Sequence, residues 1–408
     1  MLNKITYIAL GTCMLLLAAT VAVPAPQEAK EKGPKDQAEY ELINKAFSAE
    51  TPPKTKLQVL DEWKEKYPES DYKDDRVRVY MRTHQQLGDV KSAIGVAKDI
   101  LKTVPGDFES NYLITASVPG LAAEASAYYA DAQKSSNQLI GGGVDAQFAA
   151  ARKPAQVSDD QWNTAKTQTL ISSHQTLGWI AMQKKENETA EKHFVDVLGI
   201  NPGLGQVSYW LGNVVLAQGK PDKNVLALFS FARAAVLDGE GALAPEGRKQ
   251  VDEYLGKVYS AYTGTTDDLP QLKELAMKGP LPPADLEIKS KAIRTFEAEK
   301  KFREENPLLS QYDDLKQTLL GATGDETWGQ LKGKVTPAMA LYMVGADSAR
   351  PQRLNLAFTA DGPTEVVLNL ENRLRGAPGR GSKVKFEGVA SALTKEPFQL
   401  TLTGGKLN

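Results

Sequence analysis

Two periods of apolar spacing divide this chain. Through the first three quarters, apolar residues recur at three- and four-residue intervals, which predicts helices that bury one face; from Trp328 onward they alternate with polar residues, which predicts strands. Tyr40, Ile43 and Phe47 mark a first helix, and Leu57, Leu60 and Trp63 a second. Thr51-Pro52-Pro53 turns the chain between them and Tyr67-Pro68 ends the pair. A second pair spans residues 72–106, with its turn at Leu87-Gly88-Asp89, a small residue for close packing at Ala93 and a stop at Pro105-Gly106. Residues 107–153 are less regular: the Ala-rich stretch 121–133 predicts helix, and Gly141-Gly142-Gly143 breaks it. Ser158-Asp159-Asp160 offers side-chain oxygens to the first N–H groups of a helix beginning near Gln161.

The stretch 171–203 is the most patterned. Leu177-Gly178 is followed by Ala190, Phe194 and Pro202. Gly178 and Ala190 are small enough for two antiparallel helices to approach, Phe194 fills the space between them, and Pro202 disfavours helix in the residue before it. Tyr209-Trp210-Leu211-Gly212, Ala227 and Phe231 repeat the pattern with about three extra residues at the turn around Pro221, and Tyr254-Leu255-Gly256 begins a last copy. Leu-Gly, then Ala-x3-Phe, then Pro at this spacing resembles the tetratricopeptide repeat (TPR). The resemblance covers 37–278 and implies a solenoid of helical hairpins. The fold class expected is mainly α, a TPR-type solenoid followed by a small antiparallel β domain. Residues 279–325 are expected to be a helical cap or linker packed on the last repeat, and 326–408 the β domain.

In that β domain, Leu331 to Val335 is read as the opening strand. Leu354, Leu356 and Phe358 form the second, Val366, Leu368 and Leu370 the third, Val384, Phe386 and Val389 the fourth, and Phe398, Leu400 and Leu402 the fifth. Five short strands with turn-rich links suggest a small antiparallel barrel or sandwich. Their order, with Gly388 inside the fourth, resembles an oligonucleotide/oligosaccharide-binding (OB) fold.

The first 25 residues read as a secretory signal or an N-terminal anchor: Lys4, then an uncharged apolar run through Val23, then small residues. Residues 26–36 read as a flexible tether. The expected address is therefore outside the cytoplasm, in the periplasm or cell envelope. The single cysteine, Cys13, lies in the apolar run, so the mature chain has no thiol for a disulfide or a nucleophile. A formal charge of −2 over 408 residues gives no global reason to expect nucleic acid.

Candidate chemistry is sparse. In a TPR array the first helix of each pair faces the concave groove, which the resemblance fills here with Gln175, Trp179, Met182 and Gln183, then Tyr209, Asn213 and Leu216. Such an amide-rich, aromatic surface suits an extended segment or a partner helix. Packing of Trp179 and Tyr209 against neighbouring helices is the competing expectation. Of the three histidines, His84 is expected to pack between two helices, His174 to pack on the neighbouring repeat and His193 to lie on an outer face; no two share a metal-ligand spacing, so no metal and no cofactor are expected. Arg375, Arg380 and Lys383 lie in a Gly-rich stretch whose order, Ser before Lys with a strand after, is wrong for a phosphate-binding loop. With Arg373 and Lys385 they form a basic cluster suited to a glycan or nucleic acid. Acidic pairs such as Asp74-Asp75 and Asp159-Asp160 sit near helix starts, where the helix dipole favours negative charge. No G-x-S-x-G, H-E-x-x-H or dinucleotide-binding fingerprint occurs. The expected function is a non-enzymatic scaffold of the bacterial cell envelope holding a protein or peptide. The alternative is a module whose OB-like domain binds a glycan or nucleic acid.

Overall fold

The computed structural model describes residues 32–408, so the N-terminal signal or anchor lies outside the described residues. Among the described residues, no helix is long and apolar enough to cross a membrane. The chain divides into two compact units, one ending at Ile288 and the other Lys289–Asn408.

The first unit is a succession of helices: α1 (Gln37–Phe47), α2 (Pro53–Lys66), α3 (Lys73–Gln86), α4 (Val90–Thr103), α5 (Phe108–Ser117), α6 (Tyr129–Gln138), the short α7 (Val144–Gln147), α8 (Asp159–Gln183), α9 (Asn187–Ile200), α10 (Gly205–Leu216), α11 (Asn224–Val236), α12 (Pro245–Thr263) and α13 (Leu269–Lys278). Each predicted stop coincides with a helix end. The Ser158 side chain accepts from the Gln161 N–H, and Gln161 reciprocates on the Ser158 N–H, both at 3.2 Å, a capping box that starts α8. Residues 118–128 are not the regular helix expected from their alanines: they form tight 3₁₀ turns interrupted at Ala122, whose φ is 50°.

Hairpin packing follows the small residues. A Cβ on Gly178 would sit 2.7 Å from the Phe194 ring, and one on Gly212 would sit 2.8 Å from the Phe231 ring. Only glycine lets each pair of helices approach so closely, so α8–α9 and α10–α11 are two copies of one hairpin. Ala190 and Ala227, both fully buried, stand at matching positions of the second helices. This is the TPR-type hairpin solenoid anticipated from the sequence.

Two buried arginines tie successive helices together. Arg76 on α3 donates to the carbonyls of Trp63 and Tyr67 at the end of α2, at 3.0 and 2.9 Å. Arg233 on α11, 4% exposed, donates to Pro202 O, Ala276 O and Gly279 O at 2.6–2.7 Å. The last carbonyls of a helix have no partner within it, and their partial negative charge attracts a cation.

The second unit begins with α14 (Lys291–Glu305), α15 (Pro307–Leu320) and α16 (Gly324–Leu331) and continues as β1 (Met339–Ala346), β2 (Arg353–Ala357), β3 (Val366–Leu370), β4 (Lys383–Lys395) and β5 (Phe398–Leu407). The strands close a barrel in the order β1-β2-β3-β5-β4, with β3 and β5 parallel and the other neighbours antiparallel. That topology is consistent with the OB-like resemblance. Leu341, Leu354, Leu356, Leu368, Phe386, Leu400 and Leu402 fill the interior. Gly388 permits close approach: a Cβ there would stand 3.0 Å from Leu402 Cβ and 3.3 Å from Leu368 Cδ1.

Two sequence expectations are corrected here. Leu331 to Val335 is not the first strand. Leu331 ends α16, and the opening strand is β1, whose uninterrupted apolar run from Met339 to Val344 hides the two-residue period. Of the segment 279–325, expected as a helical cap or linker on the repeats, residues 289–325 belong instead to the barrel's unit. Leu309 and Tyr312 of α15 lie in the barrel core, where Tyr312 Oη donates to Glu365 Oε2 at 2.8 Å and Lys316 Nζ reaches Glu365 Oε1, also at 2.8 Å.

Candidate functional site

The residues expected to line a groove divide by burial. Trp179 is 3% exposed and belongs to the core around α4, α5 and α8, with its ring edge-on to Tyr129 at 5.7 Å. It is a packing residue and not a contact offered to a partner, which corrects the groove expectation. The cause is that α8 is packed on two sides, against α5 and α6 on one and α9 on the other, so its aromatic position has no open side. Gln175 and Met182 on α8, and Tyr209, Asn213 and Leu216 on α10, are half-buried; Gln183 is exposed. Met182 and Leu216 spend their buried part against the neighbouring cores. Tyr209 packs on Phe231 at 6.1 Å, and Asn213 Nδ2 donates to Tyr209 O at 2.8 Å, which holds that amide along its own helix. Gln175, Gln183, Tyr209 and Asn213 remain as polar or amphipathic first-helix residues in partial contact with solvent. On α12 the corresponding Gln250, Glu253 and Lys257 are exposed.

The basic cluster belongs to the connection between β3 and β4. Arg375 and Arg380 are exposed there. Lys383, at the start of β4, is engaged within its unit: its ammonium donates to Asn306 Oδ1 at 2.7 Å and lies 5.4 Å from the Tyr342 ring centroid. The β1–β2 and β4–β5 connections, which OB-type barrels use for oligonucleotides and oligosaccharides, are short, the second being only Glu396-Pro397.

A third constellation escaped the sequence. His174 on α8 and His193 on α9 face each other, Nδ1 to Nδ1, at 3.2 Å, and His174 Nδ1 stands 3.3 Å from Asp196 Oδ2. The ligand atoms of all three residues lie within 4.8 Å of one another. The same close approach that packs Phe194 produces this meeting. His174 is one turn before Gly178, a Cβ on Gly178 would be 3.2 Å from His193 Cβ, and Asp196 follows His193 by three residues on the same face. Burial pushes the His174 imidazole below its ordinary pKa against the pull of Asp196, with Lys192 adding to the push. Burial also lowers His193, and His174 and Lys192 act in the same direction while Asp196 opposes them. Spacing rules look for ligands on one helix, and these come from two helices, nineteen residues apart. The signal available was the Leu-Gly/Ala-x3-Phe register itself, which says which positions of α8 and α9 face each other.

No family model matches this chain, and no curated protein does. Among solved structures it is similar to a thermophilic TPR protein of Thermus thermophilus, at 15% identity over 53% of this chain and 98% of that one, with a TM-score of 0.27. The repeat character is carried by the paired Gly178–Phe194 and Gly212–Phe231 contacts within the chain itself.

Proposed function

We propose that this protein is a non-enzymatic interaction scaffold, exported to the bacterial cell envelope, whose helical hairpins hold a protein or peptide along the first-helix face. The observation that carries the proposal is the row of partly exposed amide and aromatic side chains, Gln175 and Gln183 on α8 with Tyr209 and Asn213 on α10, on the first helices of two copies of one hairpin. Amides satisfy the backbone of an extended segment, and tyrosine supplies apolar area at small entropic cost. The export part rests on the N-terminal apolar sequence. The test is recovery of a specific partner from envelope extracts. A Gln183→Ala/Tyr209→Ala double variant is expected to lose that partner while Lys102→Ala on α4 keeps it; equal recovery by the wild type and both variants would refute the groove.

A second reading places the ligand on the barrel, because the exposed Arg375 and Arg380 stand in one connection beside β4. Binding of a polyanionic glycan or oligonucleotide that weakens steeply with salt, and disappears in Arg375→Ala/Arg380→Ala, would favour it.

A further inference from the structure

The His174–His193–Asp196 cluster presents a problem of proton accounting. A neutral imidazole has one N–H and one lone pair, and an ionised carboxylate only accepts. His193 Nδ1 and Asp196 Oδ2 both lie within 3.3 Å of the one atom His174 Nδ1, which is either a donor or an acceptor: as an N–H its single proton must serve both, and as an acceptor from His193 it turns its lone pair on the carboxylate. A single cation placed among the three atoms satisfies all of them.

The distances are those of ligands on a small ion. Zinc bonds of about 2.0–2.1 Å to nitrogen, opened to the tetrahedral angle, place ligand atoms about 3.3 Å apart. Two of the three separations are 3.2 and 3.3 Å, and all three atoms lie within 4.8 Å of one another. The donor set, two imidazole nitrogens and one carboxylate, suits first-row transition ions and does not suit calcium or magnesium, which require more oxygens. The residues also leave a way in. The His174 side chain is 18% exposed and Asp196 39%, so an ion can reach the cluster without unfolding the hairpin. Lys192, the neighbouring cation, is itself exposed to water.

We infer that His174, His193 and Asp196 form a binding site for one divalent transition-metal ion, zinc being the reference case, which joins α8 to α9 in the central hairpin. Three protein atoms hold the ion and water completes its shell. The site owes nothing to the first-helix face proposed for partner binding, and either reading survives the failure of the other.

The experiment uses the untagged full chain, stripped with a chelator and titrated calorimetrically with Zn²⁺, and in parallel with Co²⁺ followed by visible absorption. One ion per chain is expected, with the intense visible bands of four-coordinate Co²⁺ and a rise in the melting temperature on zinc addition, because the ion binds the folded hairpin. Asp196→Asn, nearly the same size and shape as the native residue, and His193→Gln are each expected to weaken zinc binding at least about 100-fold, on the scale by which lost ligand-shell contacts act. His84→Gln, on α3, keeps wild-type affinity. Circular dichroism identifies any variant that has failed to fold, and the wild-type Co²⁺ spectrum decides the matter without the variants. The inference is overturned if the wild-type chain shows no saturable binding of either ion, if bound Co²⁺ gives only the pale spectrum of a hydrated ion, or if folded Asp196→Asn and His193→Gln bind as wild type does.

Discussion

Gly178 and Phe194 meet without room for a methyl group: the position of a Cβ on Gly178 is 2.7 Å from the Phe194 ring. Gly178→Ala must therefore separate α8 from α9 or turn a fully buried phenylalanine out of its rotamer. Overpacking of this kind costs about 1–3 kcal/mol. Gly212→Ala, against Phe231, is expected to cost the same amount. Chemical denaturation of the two variants checks this; a loss in one and none in the other would mean that the hairpins are not equivalent.

Arg233 has a larger role than its place in the second helix of a repeat suggests. Its guanidinium ends three segments at once through Pro202 O, Ala276 O and Gly279 O. Burial lowers its pKa, yet guanidinium stays charged across the accessible range. Arg233→Met keeps most of the apolar stem and leaves those carbonyls unpaired, at about 2–4 kcal/mol, taking each lost charged hydrogen bond within the usual range. Arg233→Lys is expected to recover little of that loss, since one ammonium cannot reproduce the fork. Hydrogen exchange at the ends of α9 and α13 would locate the damage.

A pH prediction concerns the first hairpin. Tyr67 Oη donates to Asp36 Oδ1 at 2.7 Å, and that hydrogen bond is the main cause of a phenol pKa raised to about 12. A folded-state pKa above the unfolded value, about 10 for tyrosine, stabilises fully below the unfolded value and is lost as pH rises through the folded one. The contribution of Tyr67 therefore fades between about pH 10 and about 12. Asp36 has the opposite sign. Its carboxylate accepts the Glu39 N–H, foremost, and the Tyr67 hydroxyl, and its pKa is lowered, so its contribution is present at neutral pH and is lost as pH falls through the folded value in the acid range. Titration of phenolate absorbance should show one tyrosine moving toward its ordinary value in Asp36→Asn.

Glu365 holds α15 to the barrel through two side chains of that helix. Removing its carboxylate in Glu365→Ala leaves the Tyr312 hydroxyl, in a fully buried side chain, and the Lys316 ammonium without their acceptor, at about 1–3 kcal/mol. Tyr312→Phe, which removes the donor and leaves Glu365 paired with Lys316, is expected to cost about 1 kcal/mol. Amide exchange in α15 should rise in the first variant more than in the second.

The sequence was legible wherever one residue type answers one geometric demand. Gly178, Ala190 and Phe194 are such residues, as is Ser158 at the start of α8, and the alternations of β2, β3 and β5 name their own faces. It was misleading where burial is two-sided. Trp179 has neighbours on both flanks of α8, and β1 is an unbroken apolar run, so neither shows the period by which exposure is read. The histidine pair was missed for another reason, and only the hairpin register could have found it. Spacing along the chain measures neighbours within a helix, and His174 and His193 are neighbours only across one.

The closed strand order of the barrel also restricts what it can meet. Every strand already has a neighbour on each side. No strand therefore offers its whole length as a free edge, which disfavours recruiting an extended peptide by lengthening the sheet or joining copies edge to edge. What approaches the paired strands meets side chains and connecting loops, so its choice of partner is open to change by single substitutions at its surface.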